Sequence, residues 1–172
     1  MAVASLELEM KATAVRNKAI MLSVMLAMGT VVPSAIAADV HSHEGVGLQT
    51  LKLNAGKKWA TDAPLRKGMT AMRNAIEQDK AAIHAAKLSD AGYDALAKTI
   101  DTQVAYIVTN CKLPPEADAQ LHLVLAEIMH GSSAIKGQEK GVARQAGAHK
   151  IVVALDAYGR HFDHPGWQRL AD

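Results

Sequence analysis

Four stretches in which apolar residues recur at three- and four-residue steps, the last three closed by proline or glycine, constrain this chain more than any other feature. The first carries Leu65, Met69, Met72, Ile76 and Ile83 behind the start signal Thr61-Asp62-Ala63-Pro64, and runs to about Ala86. In the second, Ser89-Asp90 caps a stripe of Tyr93, Leu96, Ile100, Val104, Ile107 and Cys111, and Leu113-Pro114-Pro115 stops it, because the residue before a proline is pushed out of the helical region. Pro115-Glu116 opens a third with Leu121, Leu125, Ile128 and Ile135, ending near Lys136-Gly137. The fourth runs from about Glu139 to Phe162 along Ala148, Ile151, Leu155 and Tyr158, and Asp163-His164-Pro165-Gly166 terminates it. Four amphipathic helices with short connections predict an all-α fold over 61–172, an antiparallel up-down-up-down four-helix bundle. The shortage of strand formers agrees, with one Phe, two Trp and three Tyr in 172 residues, and no strand signal is evident.

The segment before the bundle reads differently. From Met10, Lys11, Arg16 and Lys18 precede an apolar run from Ala19 to Val32 and a small-residue site at Ala35-Ile36-Ala37. That order is a cleavable secretory signal, the run being short for a membrane span. Residues 1–37 are therefore read as N-terminal extension plus signal, with Met10 an alternative start, and 38–60 as a flexible, His-containing arm that becomes ordered near Leu51 to Trp59. The predicted location is periplasmic, with no stable membrane anchor after cleavage. Beyond the signal, 16 Lys and Arg stand against 15 Asp and Glu without a run of either sign, so no basic face points to nucleic acid. Export places the mature chain where disulfides persist, and Cys111 has no second cysteine to pair with.

An up-and-down bundle brings the start of the first helix, the end of the second, the start of the third and the end of the fourth to one end. At about 1.5 Å of rise per residue, Met69 falls about 10 Å below that end, His122 about 9 Å, His161 about 3 Å and Cys111 near zero. Thiolate and thioether select Cu(I), and imidazole serves copper, zinc or nickel, so Cys111, Met69, His122 and His161 form the expected metal set, with copper the first ligand considered. Each residue also has an ordinary reading: Met69 as core filler, Cys111 as a small buried hydrophobe, and His122 as a boundary histidine hydrogen-bonded nearby. His164 reads as part of a helix cap. Met129, His130 and His149 fall at a second, lower level. Glu127-Ile128-Met129-His130 spells Glu-x-x-His, but a di-iron bundle needs a second copy, which is absent. In the arm, His41 wraps Cu(II) or Ni(II) only if cleavage follows Ala38, and His43 and Glu44 are further weak donors; the arm reads first as a solvated tail. No Cys-x-x-Cys-His, phosphate loop, Gly-x-Ser-x-Gly elbow or His-Glu-x-x-His is present, so nothing in the sequence argues for an enzyme.

The segments Gly56 to Met69, Tyr106 to His122 and Tyr158 to Trp167 together resemble a family of small exported proteobacterial proteins labelled DnrO-like. The resemblance covers most of the mature chain and implies export, but carries no DNA-binding role to a chain that is near neutral and has no recognisable helix-turn-helix. The architecture is also similar to cytochrome b562-type four-helix bundles, in which an axial Met near the start of the first helix faces a His near the end of the fourth; Met69 and His161 hold comparable places. The function expected is a non-enzymatic bundle that binds or buffers a soft transition metal. The alternatives are a metal-free helical binding or interaction protein and a b-type haem electron carrier.

Overall fold

The computed structural model describes residues 46–170, so the export signal and the arm residues His41, His43 and Glu44 lie outside the described residues. Within them the fold is mainly helical: α1 (Val46–Gln49), α2 (Ala63–His84), α3 (Asp90–Asn110), α4 (Pro115–Ile135) and α5 (Arg144–His161), with the two-residue strands β1 (Trp59–Ala60) and β2 (Phe162–Asp163). Among the described residues no helix is long and apolar enough to cross a membrane.

The helix starts follow from local chemistry. Asp62 caps α2, its Oδ1 accepting from the Leu65 N–H at 2.8 Å, with Pro64 in the first turn. The Ser89 hydroxyl does the same for the Gly92 N–H at 3.1 Å, opening α3. Glu116 and Asp118 sit in the first turn of α4, where the unpaired N–H groups favour an acid. Helix α5 starts at Arg144, five residues later than the periodicity predicts. Gly141 takes φ +80°, which a helix cannot continue, and the Val142 N–H bonds back to the Glu139 carbonyl in a separate turn.

Three further elements escaped the sequence patterns. Helix α1 falls in the stretch read as an arm without helical period. The strands β1 and β2 pair in parallel, Trp59 with Phe162 and Ala60 with Asp163, too short for alternation to register. The Trp59 indole N–H donates to the Lys52 carbonyl at 2.7 Å and the Lys58 ammonium to the Gly159 carbonyl at 2.7 Å, so the strap from α1 to α2 is tied to the end of α5.

Every apolar residue of the four predicted stripes is buried except Cys111, which is half-buried. Met69, Met72, Ile100, Ile107, Leu121, Ile128, Ile135, Ile151, Tyr158 and Phe162 lose essentially all solvent contact. Helix α2 packs on α3 and α5, and α4 on α3 and α5. The closest approach is between α4 and α5, where a β-carbon on Gly147 would lie 2.6 Å from the Gly131 carbonyl oxygen and 2.7 Å from the Ile135 nitrogen. Only hydrogen fits there. The crossing draws the two backbones together and leaves the longer side chains on either side of it to line a groove.

Polar contacts fix which helix ends meet. Arg144 at the start of α5 donates through Nε to the Ile135 carbonyl at 2.5 Å and through Nη1 to Asp90 at 3.0 Å, and also pairs with Asp94. Its guanidinium lies 5.2 Å from the centroid of the Tyr93 ring. Gln145 reaches back to the Ile83 carbonyl near the end of α2 at 2.7 Å.

Candidate functional site

At the corner between α3 and α4, the Asp62 carboxylate gathers three donors. Oδ1 accepts from the Leu65 N–H at 2.8 Å, Oδ2 from the Lys112 N–H at 2.7 Å, and the Cys111 thiol also donates to the carboxylate. Burial pulls the Asp62 pKa upward, but the Lys112, Leu65 and Cys111 hydrogen bonds and the Arg66 charge outweigh it and hold the carboxyl below its ordinary value. The thiol responds in the opposite sense, pushed up to about 12 by burial first and then by the charges of Asp62 and Asp118. It is therefore a protonated donor at neutral pH, neither a nucleophile nor a ready thiolate ligand.

The four residues expected to ligate a metal are divided by the fold. Cys111 and His122, with Asp118, line one cavity of about 180 Å³. His122 points outward, 66% exposed, with Nδ1 bonded to the Asp118 carbonyl at 2.9 Å and 3.3 Å from its carboxylate. Met69 is sealed in the core with no exposed surface and does not line this cavity. His161 belongs to another cavity altogether, its Nδ1–H donating to the Ala157 carbonyl at 2.8 Å. Among the described residues no three His, Cys, Asp or Glu side chains form a group that could hold a metal ion. For the cytochrome-like pairing, Met69 is sealed in the core and does not line the cavity that holds His161. Tyr158 and Phe162, stacked with ring centroids 5.2 Å apart, fill the core at that end, and His161 faces away from them. His164 bonds to the Tyr158 hydroxyl through Nδ1 at 2.9 Å, in place of the capping role read from the sequence.

The cavity that holds His161 is a groove of about 320 Å³ between α1, α4 and α5, within the usual size of a small-molecule site. Leu48, Val153 and Ala157 supply its apolar surface, and Glu127, His149, Lys150, Arg160 and His161 its polar groups. Along α5 it extends from His149 to His161, about 18 Å of helix. Glu127 is its unusual member. The side chain is only 9% exposed, among the described residues it receives no hydrogen bond, and the exposed His130 ring lies 3.9 Å from it, a charged partner only when protonated. Its oxygens still reach the open space of the groove, so the carboxylate lacks a protein donor without being sealed from water. At the far end, Arg160 and Arg169 share the single carboxylate of Asp156, Arg160 at 2.5 Å, so that end keeps a net positive charge.

Sequence reading reached only part of this groove. Glu127 and His149 were noticed, one in an incomplete di-iron motif and one by depth, whereas His130 and Met129 turn outward. Lys150, Val153, Ala157 and Arg160 were missed, although their three-four-three spacing is itself a second helical stripe beside the core line of α5. Comparison with models of protein families, with curated proteins and with solved structures finds no match to this chain.

Proposed function

We propose that the chain is a non-enzymatic helical binding protein that holds a small organic molecule in the groove between α1, α4 and α5. The observation that carries this reading is the Glu127 carboxylate, which opens on the groove, receives no hydrogen bond among the described residues and stands beside an apolar surface in a cavity of about 320 Å³. The meeting of helix ends through Asp62 and Lys112, Gln145 and Ile83, and Trp59 and Phe162 supports an antiparallel up-down-up-down bundle as its frame. The three-part N-terminus supports work outside the cytoplasm, which N-terminal sequencing of the mature protein tests. A thermal-shift screen of the purified protein against small organic ligands tests the binding role, with Val153→Trp filling the groove as control. Stabilising ligands whose effect vanishes in that variant are expected. Ligands that stabilise both proteins equally would contradict the groove.

A second reading, a soft metal such as copper at Cys111, Asp118 and His122, draws on their common cavity. It requires the thiol to give up its proton and its bond to Asp62, and His122 to swing inward. Cu(I) titration of wild type against Cys111→Ala and His122→Ala decides it, since unchanged stoichiometry and affinity in both variants would remove it.

A further inference from the structure

The charges in the groove are ordered along it, and that order selects a ligand. Gly131 of α4 packs against Gly147 and Ile151 of α5, so Glu127, one turn earlier on α4, falls near the level of Val153. From there to Arg160 is about 10 Å of helix rise, over which the lining is apolar, through Val153 and Ala157 with Leu48 beside them. One end of that span thus has a carboxylate without a hydrogen-bond donor. The other has the Arg160 guanidinium, only partly neutralised by an Asp156 it shares with Arg169, and the His161 ring, whose Nε2 is left over once Nδ1 bonds Ala157. Lys150, which also lines the groove, forms no ion pair with Glu127 among the described residues.

We propose that the groove takes an elongated zwitterion, its ammonium group on Glu127, its carboxylate at Arg160 and His161, and an apolar body across Leu48, Val153 and Ala157. This rests on the groove being the binding site. A fatty acid satisfies Arg160 and leaves Glu127 bare, and an amine does the reverse; only a molecule with both charges at a distance satisfies both ends. An ω-amino acid and a short apolar peptide with free termini share that chemistry.

Calorimetric titration of the full chain separates the cases, using 8-aminooctanoate, octanoate, octylamine and the tripeptide Ala-Val-Ala as probes. The expected result is binding of 8-aminooctanoate about tenfold tighter than octanoate or octylamine. Glu127→Gln should reduce it to the octanoate level, and Arg160→Met to the octylamine level, with far-ultraviolet circular dichroism checking that both variants fold. Tripeptide binding with the same dependence on Glu127 and Arg160 assigns the site to peptide termini; its absence alongside 8-aminooctanoate binding assigns it to single ω-amino acids. Octanoate binding as tightly as 8-aminooctanoate, unaffected by Glu127→Gln but lost in Val153→Trp, overturns the zwitterion and leaves the groove standing. If no probe binds, the zwitterion is overturned, and the ligand screen against Val153→Trp then judges the groove separately.

Discussion

At the α3–α4 corner Asp62 receives three donors, from Leu65, Lys112 and Cys111, while in the α1–α4–α5 groove Glu127 receives none among the described residues. Asp62 is half-buried and Glu127 buried along most of its side chain, so burial does not account for the difference, which lies in what surrounds them. A satisfied acid joins the start of α2 to the Cys111–Lys112 corner and acts as structure. One that faces a groove without a protein donor keeps its acceptor capacity for something that enters, which is the pattern of a site shaped for a ligand. The chain's one thiol belongs to the first kind.

Substitutions that break this contrast rank by size. Gly147→Leu would drive a side chain into the Gly131 carbonyl and the Ile135 backbone, and is expected to cost about 3 kcal/mol or more in urea unfolding and to abolish ligand binding in the groove. Asp62→Ala removes a cap and leaves the Lys112 N–H without its acceptor, an expected loss of about 2 kcal/mol. Because the folded Asp62 pKa is lowered, its contribution is present above the unfolded value of 3.8 and is lost as pH falls through the folded one. The variant should therefore show a shallower loss of stability on acidification than wild type.

Cys111→Ala is smaller, about 1 kcal/mol at neutral pH, since the half-exposed corner screens the bond it removes. Its pH signature lies at the other extreme. With the thiol raised from 9.0 to about 12, the native state holds a proton the unfolded state releases, so wild-type stability falls as pH rises above about 9. That part of the decline should be missing in Cys111→Ala. Alkylation of native Cys111 at pH 8 should also be much slower than in urea, and equal rates would place the thiol outside the Asp62 network.

The four long helices and their core faces were legible because burial imposes a period of 3.6 on apolar residues, and Leu65 to Phe162 obey it. The late start of α5 was not, because it depends on the backbone at Gly141 taking a positive φ, which a glycine permits without requiring. The pairing of Trp59 with Phe162 joins residues more than a hundred positions apart and leaves no local trace. For the site, the lone cysteine and the soft donors drew attention to one end. Grouping the donors by depth along the bundle set aside their direction around each helix: the apolar stripe already turned Met69 inward, and His161, off the core line of α5, lines the groove. Glu127 looked like half of a metal motif; its burial and lack of donors come from α1 lying over α4, which no helical period announces.

The contrast itself is tested most directly by urea unfolding of Glu127→Met and Asp62→Ala beside wild type, in the absence of ligand. The account predicts opposite signs. Asp62→Ala loses about 2 kcal/mol, and Glu127→Met, which replaces a largely buried side chain without a protein hydrogen-bond donor by an apolar one of similar length, gains about 0.5 kcal/mol. A loss in Glu127→Met as large as that in Asp62→Ala would mean that Glu127 is structural, and would contradict the groove as a site built around an acid kept for a ligand.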